Sequence, residues 1–201
     1  MKTTRTFRLA AVAAVALLAA ACASARQYLA LRQVSFAIDR VAAIRLAGVS
    51  LDNVRRPSDL NALDYGRIAA AALRRQMPLE FDVRLLGENP ADNNTSARMT
   101  RFAWTLLLNS RETVSGTMDT SYTFPAGVPT PVRLPVRLDL AQFVEGSAAD
   151  AIDLALGLAG YGTRQIDVEL RAVPTIDTPL GAIQYPQPIV VRKTVGATPA
   201  P

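Results

Sequence analysis

Residues 132–140 read VRLPVRLDL. Val132, Leu134, Val136, Leu138 and Leu140 fall on one side, and Arg133, Arg137 and Asp139 on the other. Successive strand side chains point to opposite faces, so this run predicts a strand with one face in a core and the other in water. Pro135 lies on the outward face. It has no N–H to offer a neighbouring strand, which points to the edge of a sheet.

The same alternation recurs on both sides of that stretch. Upstream, Leu79, Phe81, Val83 and Leu85 oppose Glu80, Asp82 and Arg84, and Asn89-Pro90 ends the run because proline cannot donate to a ladder. ADNNTSA (91–97) reads as a polar loop. Phe102, Trp104, Leu106 and Leu108 then oppose Arg101, Ala103, Thr105 and Leu107, and Asn109-Ser110 predicts a turn into a return strand near Thr113 and Val114. A further strand over 117–124 ends at Pro125. Downstream, Ile166, Val168 and Leu170 oppose Asp167, Glu169 and Arg171; Gly181 marks a turn, and PIVVRK (188–193) is the last strand. At the N-terminal side, Val34, Phe36 and Ile38 share a face, as do Ile44 and Leu46. Gly48 resets the phase to Val49 and Leu51, which predicts two short strands or one strand with a bulge at Gly48.

Two segments change period. Over 58–75, Ala62, Tyr65, Ile68, Ala69, Ala72 and Leu73 form one helical stripe, with Ser58 as the expected N-cap and Pro78 as the stop. Over 147–159, Ser147-Ala148-Ala149-Asp150 has capping-box spacing, Asp153 is the lone polar side chain from Ala151 to Ala159, and Gly160 and Gly162 end the helix. Seven or so short strands without βαβ alternation describe a mainly β protein, an antiparallel β-sandwich with two added helices.

The N-terminal residues read as a targeting segment. Lys2, Arg5 and Arg8 form a basic region, and Leu9–Ala21 is an uninterrupted apolar run of 13 residues. That is too short for a spanning helix, which needs ~20 residues, and fits a signal peptide over 1–21. Two cleavage readings stand. Ala19-Ala20-Ala21 running into Cys22 resembles a bacterial lipobox, although Ala19 stands where leucine is preferred. It implies a diacylglycerol on the Cys22 thiol and an acyl chain on its amine. Ala23 and Ser24 are not the aspartate of inner-membrane retention, so the outer membrane, facing the periplasm, is the expected site. The alternative is ordinary cleavage after Ala25, at Ala23-Ser24-Ala25, giving a periplasmic or secreted protein. Residues 22–33 read as a tether, 34–195 as one domain, and 196–201 as a disordered tail.

Composition narrows the chemistry. The chain has 22 basic and 17 acidic residues, and loss of Lys2, Arg5 and Arg8 leaves 19 against 17, so nothing supports nucleic-acid binding. There is no histidine, and Cys22 is the lone cysteine. Histidine-based nucleophile systems, histidine metal sites and thiolate chemistry are therefore absent. Glu80, Asp82, Asp139, Asp167 and Glu169 alternate outward and read as a solvated face, while Arg133 and Arg137 read as charge protecting an edge. No catalytic residue, metal or cofactor is expected. Asn93-Asn94-Thr95 matches a glycosylation sequon but reads as part of the polar loop.

The stretch from Leu79 to Gly116 resembles the late-embryogenesis-abundant type 2 proteins, or water-stress and hypersensitive-response (WHy) domain. That pattern is an alternating strand ending in Asn-Pro (Asn89, Pro90), a polar loop, a strand bearing an aromatic (Phe102, Trp104), and a hairpin leading to a glycine (Gly116). The resemblance extends to residues 44–54 and 79–192; the helix over 57–75 departs from it. It implies an immunoglobulin- or fibronectin III-like sandwich without catalytic residues, bacterial members that are often lipoproteins or secreted, and an association with desiccation and stress tolerance. Some relatives are similar to lipid-binding or lipid-transfer modules. The apolar helix at 151–159 either caps the core or lines an acyl-chain groove through Ile152, Leu156 and Leu158. The expected partners are therefore the membrane through the lipid anchor, and either lipids or another envelope protein bound by an assembly or adhesion domain.

Overall fold

The computed structural model describes residues 19–142, 147–178 and 181–196. Residues 19–33 are helical (α1). The first sheet holds β1 (Ser35–Leu46), β2 (Val49–Ser50), β3 (Pro78–Glu88) and, after a gap in sequence, the strand Thr130–Asp139. Between them in the chain lie α2 (Ala62–Leu73), β4 (Ala97–Met99), β5 (Arg101–Leu108), β6 (Arg111–Met118) and β7 (Tyr122–Phe124), so Thr130–Asp139 is β8. Then follow α3 (Ala148–Leu158), β9 (Ile166–Thr178), β10 (Gly181–Gln184) and β11 (Ile189–Val195).

One sheet runs β2-β1-β3-β8 and the other β10-β9-β5-β6, with β11 also on β9; β4 and β7 form a separate ribbon. Strand pairing within the sheets is antiparallel throughout. The long β9 pairs β5 along one edge, while its other edge is shared between β11 at residues 166–172 and β10 at 175–178. Val132, Leu134, Val136 and Leu138 are buried, and β8 has β3 as its one sheet neighbour. The edge position expected from Pro135 follows.

The inward faces of the two sheets meet in one core, with Leu79, Phe81, Val83 and Leu85 across from Phe102, Trp104, Leu106 and Leu170. Asn109 and Ser110 both have positive φ (49° and 64°), the backbone of the tight turn read from the sequence. Leu107, expected outward, is buried. The chain forms two strands here, β2 after the break at Gly48 and, before it, β1. The register of β1 shifts at Ile38/Arg40 and Ala42/Arg45, with Ala43 at φ 54°, while Ala47 and Gly48 (φ 50° and 80°) turn the chain into β2. The phase resets at Gly48 as expected, with Val49 and Leu51 buried after Ile44 and Leu46, and it also shifts earlier, inside β1.

Of the two expected helices, the first differs in part from its sequence reading and the second forms as read. Ser58 lies in a single 3-10 turn over Pro57–Asp59, and α2 begins later, capped by Asn61, whose Oδ1 accepts from Asp64 N at 2.8 Å. Of its expected buried stripe only Ile68 is buried, and Tyr65 and Leu73 are exposed. In α3 the expected capping box forms: the Asp150 carboxylate accepts from the Ser147 N–H at 2.9 Å and from its hydroxyl at 3.0 Å. That double donation, backbone first, holds the Asp150 carboxyl below the usual carboxylate range. Beyond α3, Gly162 closes onto the helix so tightly that a Cβ there would stand 2.5 Å from Gly157 Cα.

The helices mark opposite ends of the sandwich. The last turn of α1 enters at the start of β1 and the end of β3; α2 and α3 close the end holding Ala47, Pro78 and Ile166. β1 spans roughly 35 Å between them at ~3.3 Å per residue. The expected targeting segment lies largely outside the described residues, and so does all of the expected tail but Gly196.

Candidate functional site: the N-terminal helix and its amide junction

Cys22 is exposed on α1. Residues 22–33, read as a tether, are instead part of that helix. The difference has a physical cause. Ala30 and Leu31 are 2% and 1% exposed, Val34 is buried beside them, and Tyr28 stacks on Tyr185 with ring centroids 5.2 Å apart. Burial at the helix's C-terminal end orders the segment, which its mixed composition does not foretell. Burial and the neighbouring Tyr28 raise the pKa of the Tyr185 phenol. From Cys22 to Leu31 a helix covers about 14 Å, at ~1.5 Å per residue. Among the described residues no helix is long and apolar enough to cross a membrane.

A buried pair of amides fastens α1 to the sandwich. Asn89 Nδ2 donates to the carbonyl oxygens of Phe124 (2.8 Å) and Thr95 (3.1 Å). Asn93 Nδ2 donates to Asn89 Oδ1 (2.7 Å) and to the Ala30 carbonyl (3.2 Å), and Asn93 Oδ1 accepts from Thr95 N at 3.4 Å. The Asn89 carbonyl accepts from Gly127 N at 2.8 Å. Both side chains are thus fully engaged, as burial requires. The Ala30 carbonyl is among the last of the helix, where acceptors lack intrahelical donors. Asn89 therefore joins β3 to β7, and Asn93 extends that joint to α1. Pro90 is exposed; its carbonyl accepts from Asn93 N at 3.1 Å, the turn that places Asn93.

The sequence reading missed Asn93, taking it as part of a polar loop. It is 7% exposed with both amide hydrogens committed. The available signal was the pair of asparagines four apart across Pro90. Gly116 stands opposite Trp104 in the β5–β6 register, and a Cβ there would lie 2.8 Å from Trp104 Cζ2. It keeps space for the indole.

Ile152, Leu156 and Leu158 are at most 1% exposed within the main core. Their burial is what a helix capping the core requires. Two sheets leave one end of their shared interior open, and α3 fills it. At the other end an all-apolar space of about 20 Å³ remains beside Phe36, Met99, Phe102 and Ile189. That is room on the scale of one or two waters.

The outward carboxylates are not simply solvated. Asp82 is 3% exposed and accepts from Arg84 (3.0 Å) and Arg133 (2.8 Å); Glu80 pairs with Arg137 at 2.7 Å. Asp139 Oδ1 accepts from Met77 N and Ala141 N. On the other sheet Glu169 accepts from Arg192 (2.5 Å) and Arg171 (2.7 Å), and those donors, Arg192 foremost, hold its carboxyl below the usual range. Each such carboxylate is occupied by cations or backbone donors, an arrangement that braces a sheet surface.

No family model and no curated protein matches the sequence. Among solved structures the chain is similar to a protein from Archaeoglobus fulgidus (10% identity, covering 59% of this chain and 86% of that one, TM-score 0.35). It is also similar to an Arabidopsis thaliana protein (21% identity, 60% and 72%, TM-score 0.40). A third similar structure is a protein provisionally described as late embryogenesis abundant (17% identity, 94% and 84%, TM-score 0.41).

Proposed function

We propose that this protein is a non-enzymatic module of the bacterial cell envelope, held to the outer membrane by lipid on Cys22, with its sandwich serving stress or desiccation tolerance. The observation that carries the reading is the exposure of Cys22 on a helix whose last turn is locked into the core through Leu31 and Asn93. Lipid at that cysteine would hold the sandwich directly against the bilayer without a slack linker. Several acyl chains, at ~0.8 kcal/mol for each buried CH₂, make release slow. The basic and apolar N-terminal regions and the lipobox-like run support the same reading. The absence of histidine from the sequence, together with carboxylates engaged by arginines and backbone donors, supports a role without catalysis. The stress role rests on the Asn89-Pro90 to Gly116 resemblance alone.

An intact mass spectrum of the protein extracted from its own membranes tests the anchor. A mass beginning at Cys22 with added acyl chains is the expected result, and Cys22→Ser should move the protein to the soluble fraction. A mass beginning at Arg26 would overturn the anchor. Loss of desiccation survival on deletion, restored by the wild-type gene, tests the stress role separately.

A further inference from the structure

We infer that the outward face of α2 is a docking surface for an acidic amphipathic helix of a partner protein. The surface lies at the end of the sandwich opposite Cys22. On α2 the one buried side chain is Ile68. The opposite face presents Leu73 at 88% exposure and Leu63 at 66%, with Gly66 and Ala70 between them and Ala62 alongside. Leucines so exposed on one contiguous face are unusual for a surface with nothing to cover it. The small residues let another backbone approach. With Ala47 and Pro78 they floor a trough between the helix and the β1–β2 turn. A concave floor with Leu63 on its wall, and Leu73 exposed beyond it on the same helix, suits a ridge of side chains, the geometry of a helix lying in a groove.

Charge selects the occupant. Arg67 and Arg74 line the trough, and Arg75 follows the helix end. The carboxylate of α2, Asp64, accepts from the Asn61 side chain at 2.7 Å and from Arg67 at 3.4 Å. Arg74 Nε donates back to the Ala70 carbonyl at 3.2 Å, leaving the rest of its guanidinium at the rim. Nearby, Arg55 lies over the Tyr161 ring and Asp59 accepts from the Arg55 and Arg56 N–H groups. A second copy of this face would set arginine against arginine. The anchoring bilayer would lie at the other end of the molecule. An apolar ridge flanked by carboxylates meets both the leucines and the cations. The assignment of direction rests on the Cys22 anchor; the surface chemistry does not.

The test uses the protein as processed in cells, held in neutral-lipid nanodiscs. The probe is a fluorescent peptide of about 18 residues, five helical turns, with a leucine ridge flanked by glutamates; a control peptide carries lysines there. The glutamate peptide should bind at least roughly tenfold tighter than the lysine peptide. Leu63→Glu with Leu73→Glu, and separately Arg67→Glu with Arg74→Glu, should each weaken it by about tenfold or more. All four side chains are exposed, and unchanged circular dichroism would verify folding. Equal binding of the two peptides, or either double variant binding as the parent does, would overturn the inference. So would capture of the parent, but not the leucine variant, by phosphatidylglycerol vesicles while the glutamate peptide stays free. A mass beginning at Arg26 would remove the anchor and leave this result standing.

Discussion

Asn93 donates one amide hydrogen to Asn89 Oδ1 at 2.7 Å and the other to the Ala30 carbonyl at 3.2 Å, so a single buried side chain links the N-terminal helix to the core of the sandwich. Both asparagines are buried. Removing either takes the hydrogen bond from its buried partners.

Asn89→Ala strands two carbonyls and one Asn93 hydrogen, and should cost about 2–4 kcal/mol of stability, at ~1–3 kcal/mol for each unsatisfied buried group after relaxation. Asn93→Ala should cost less, about 1–2 kcal/mol, and act locally. Urea denaturation measures the first. Faster proteolysis between Ala30 and Ser35, with the sheets still protected, identifies the second. Asn93→Ala behaving like the parent in both assays would show that the helix is held by Leu31 and Tyr28 alone.

Gly116→Ala forces a methyl to 2.8 Å from the Trp104 ring. Overpacking of this kind costs ~1–3 kcal/mol. Trp104 is the only tryptophan in the chain, so its emission reports on that contact directly. A shifted emission maximum together with a lowered midpoint is expected. Gly116→Ala with unchanged fluorescence and stability would mean that β6 shifts freely on β5.

Leu156→Ala tests whether α3 is a cap or a wall. As a core residue it should cost about 2–5 kcal/mol, the range for large-to-small core changes. As a groove lining it would leave the ligand-free protein near its original stability. Thermal unfolding of the purified protein distinguishes the two, and the burial of Ile152, Leu156 and Leu158 predicts the larger loss.

Acid should loosen the second sheet. The Glu169 carboxyl is held below its ordinary range, first by the Arg192 hydrogen bond and then by Arg171. A depressed carboxyl contributes stability that is present above its unfolded pKa, ~4.3, and is lost as pH falls through the lower folded value. Asp59 and Asp150 act in the same direction through backbone donors. Stability should therefore be flat from about pH 7 to 5 and decline below about pH 4. Arg192→Ala should make that decline shallower; an equal slope in parent and variant would remove Glu169 from the account.

The sandwich was legible because period-2 alternation is a local property. In VRLPVRLDL and LEFDVRLL each residue's face follows from its neighbours, and Pro135 marks its own edge through a missing N–H. The Ser147–Asp150 cap and the Asn109-Ser110 turn are likewise short-range, and both formed as read. The lone cysteine and missing histidines are facts of composition, and they bound the chemistry at once. What only the tertiary structure decided depends on residues far apart in sequence. Ala30 and Asn93 meet across 63 positions, which turns a mixed-composition segment into an ordered helix. Asp82 is buried because Arg84 and Arg133 close over it from two strands. In α2, helical periodicity predicted one buried stripe, but the space at that end of the sandwich takes Ile68 and small neighbours, with α3 filling the rest. Periodicity shows that a helix has distinct faces; which face is covered depends on the shape of what it packs against.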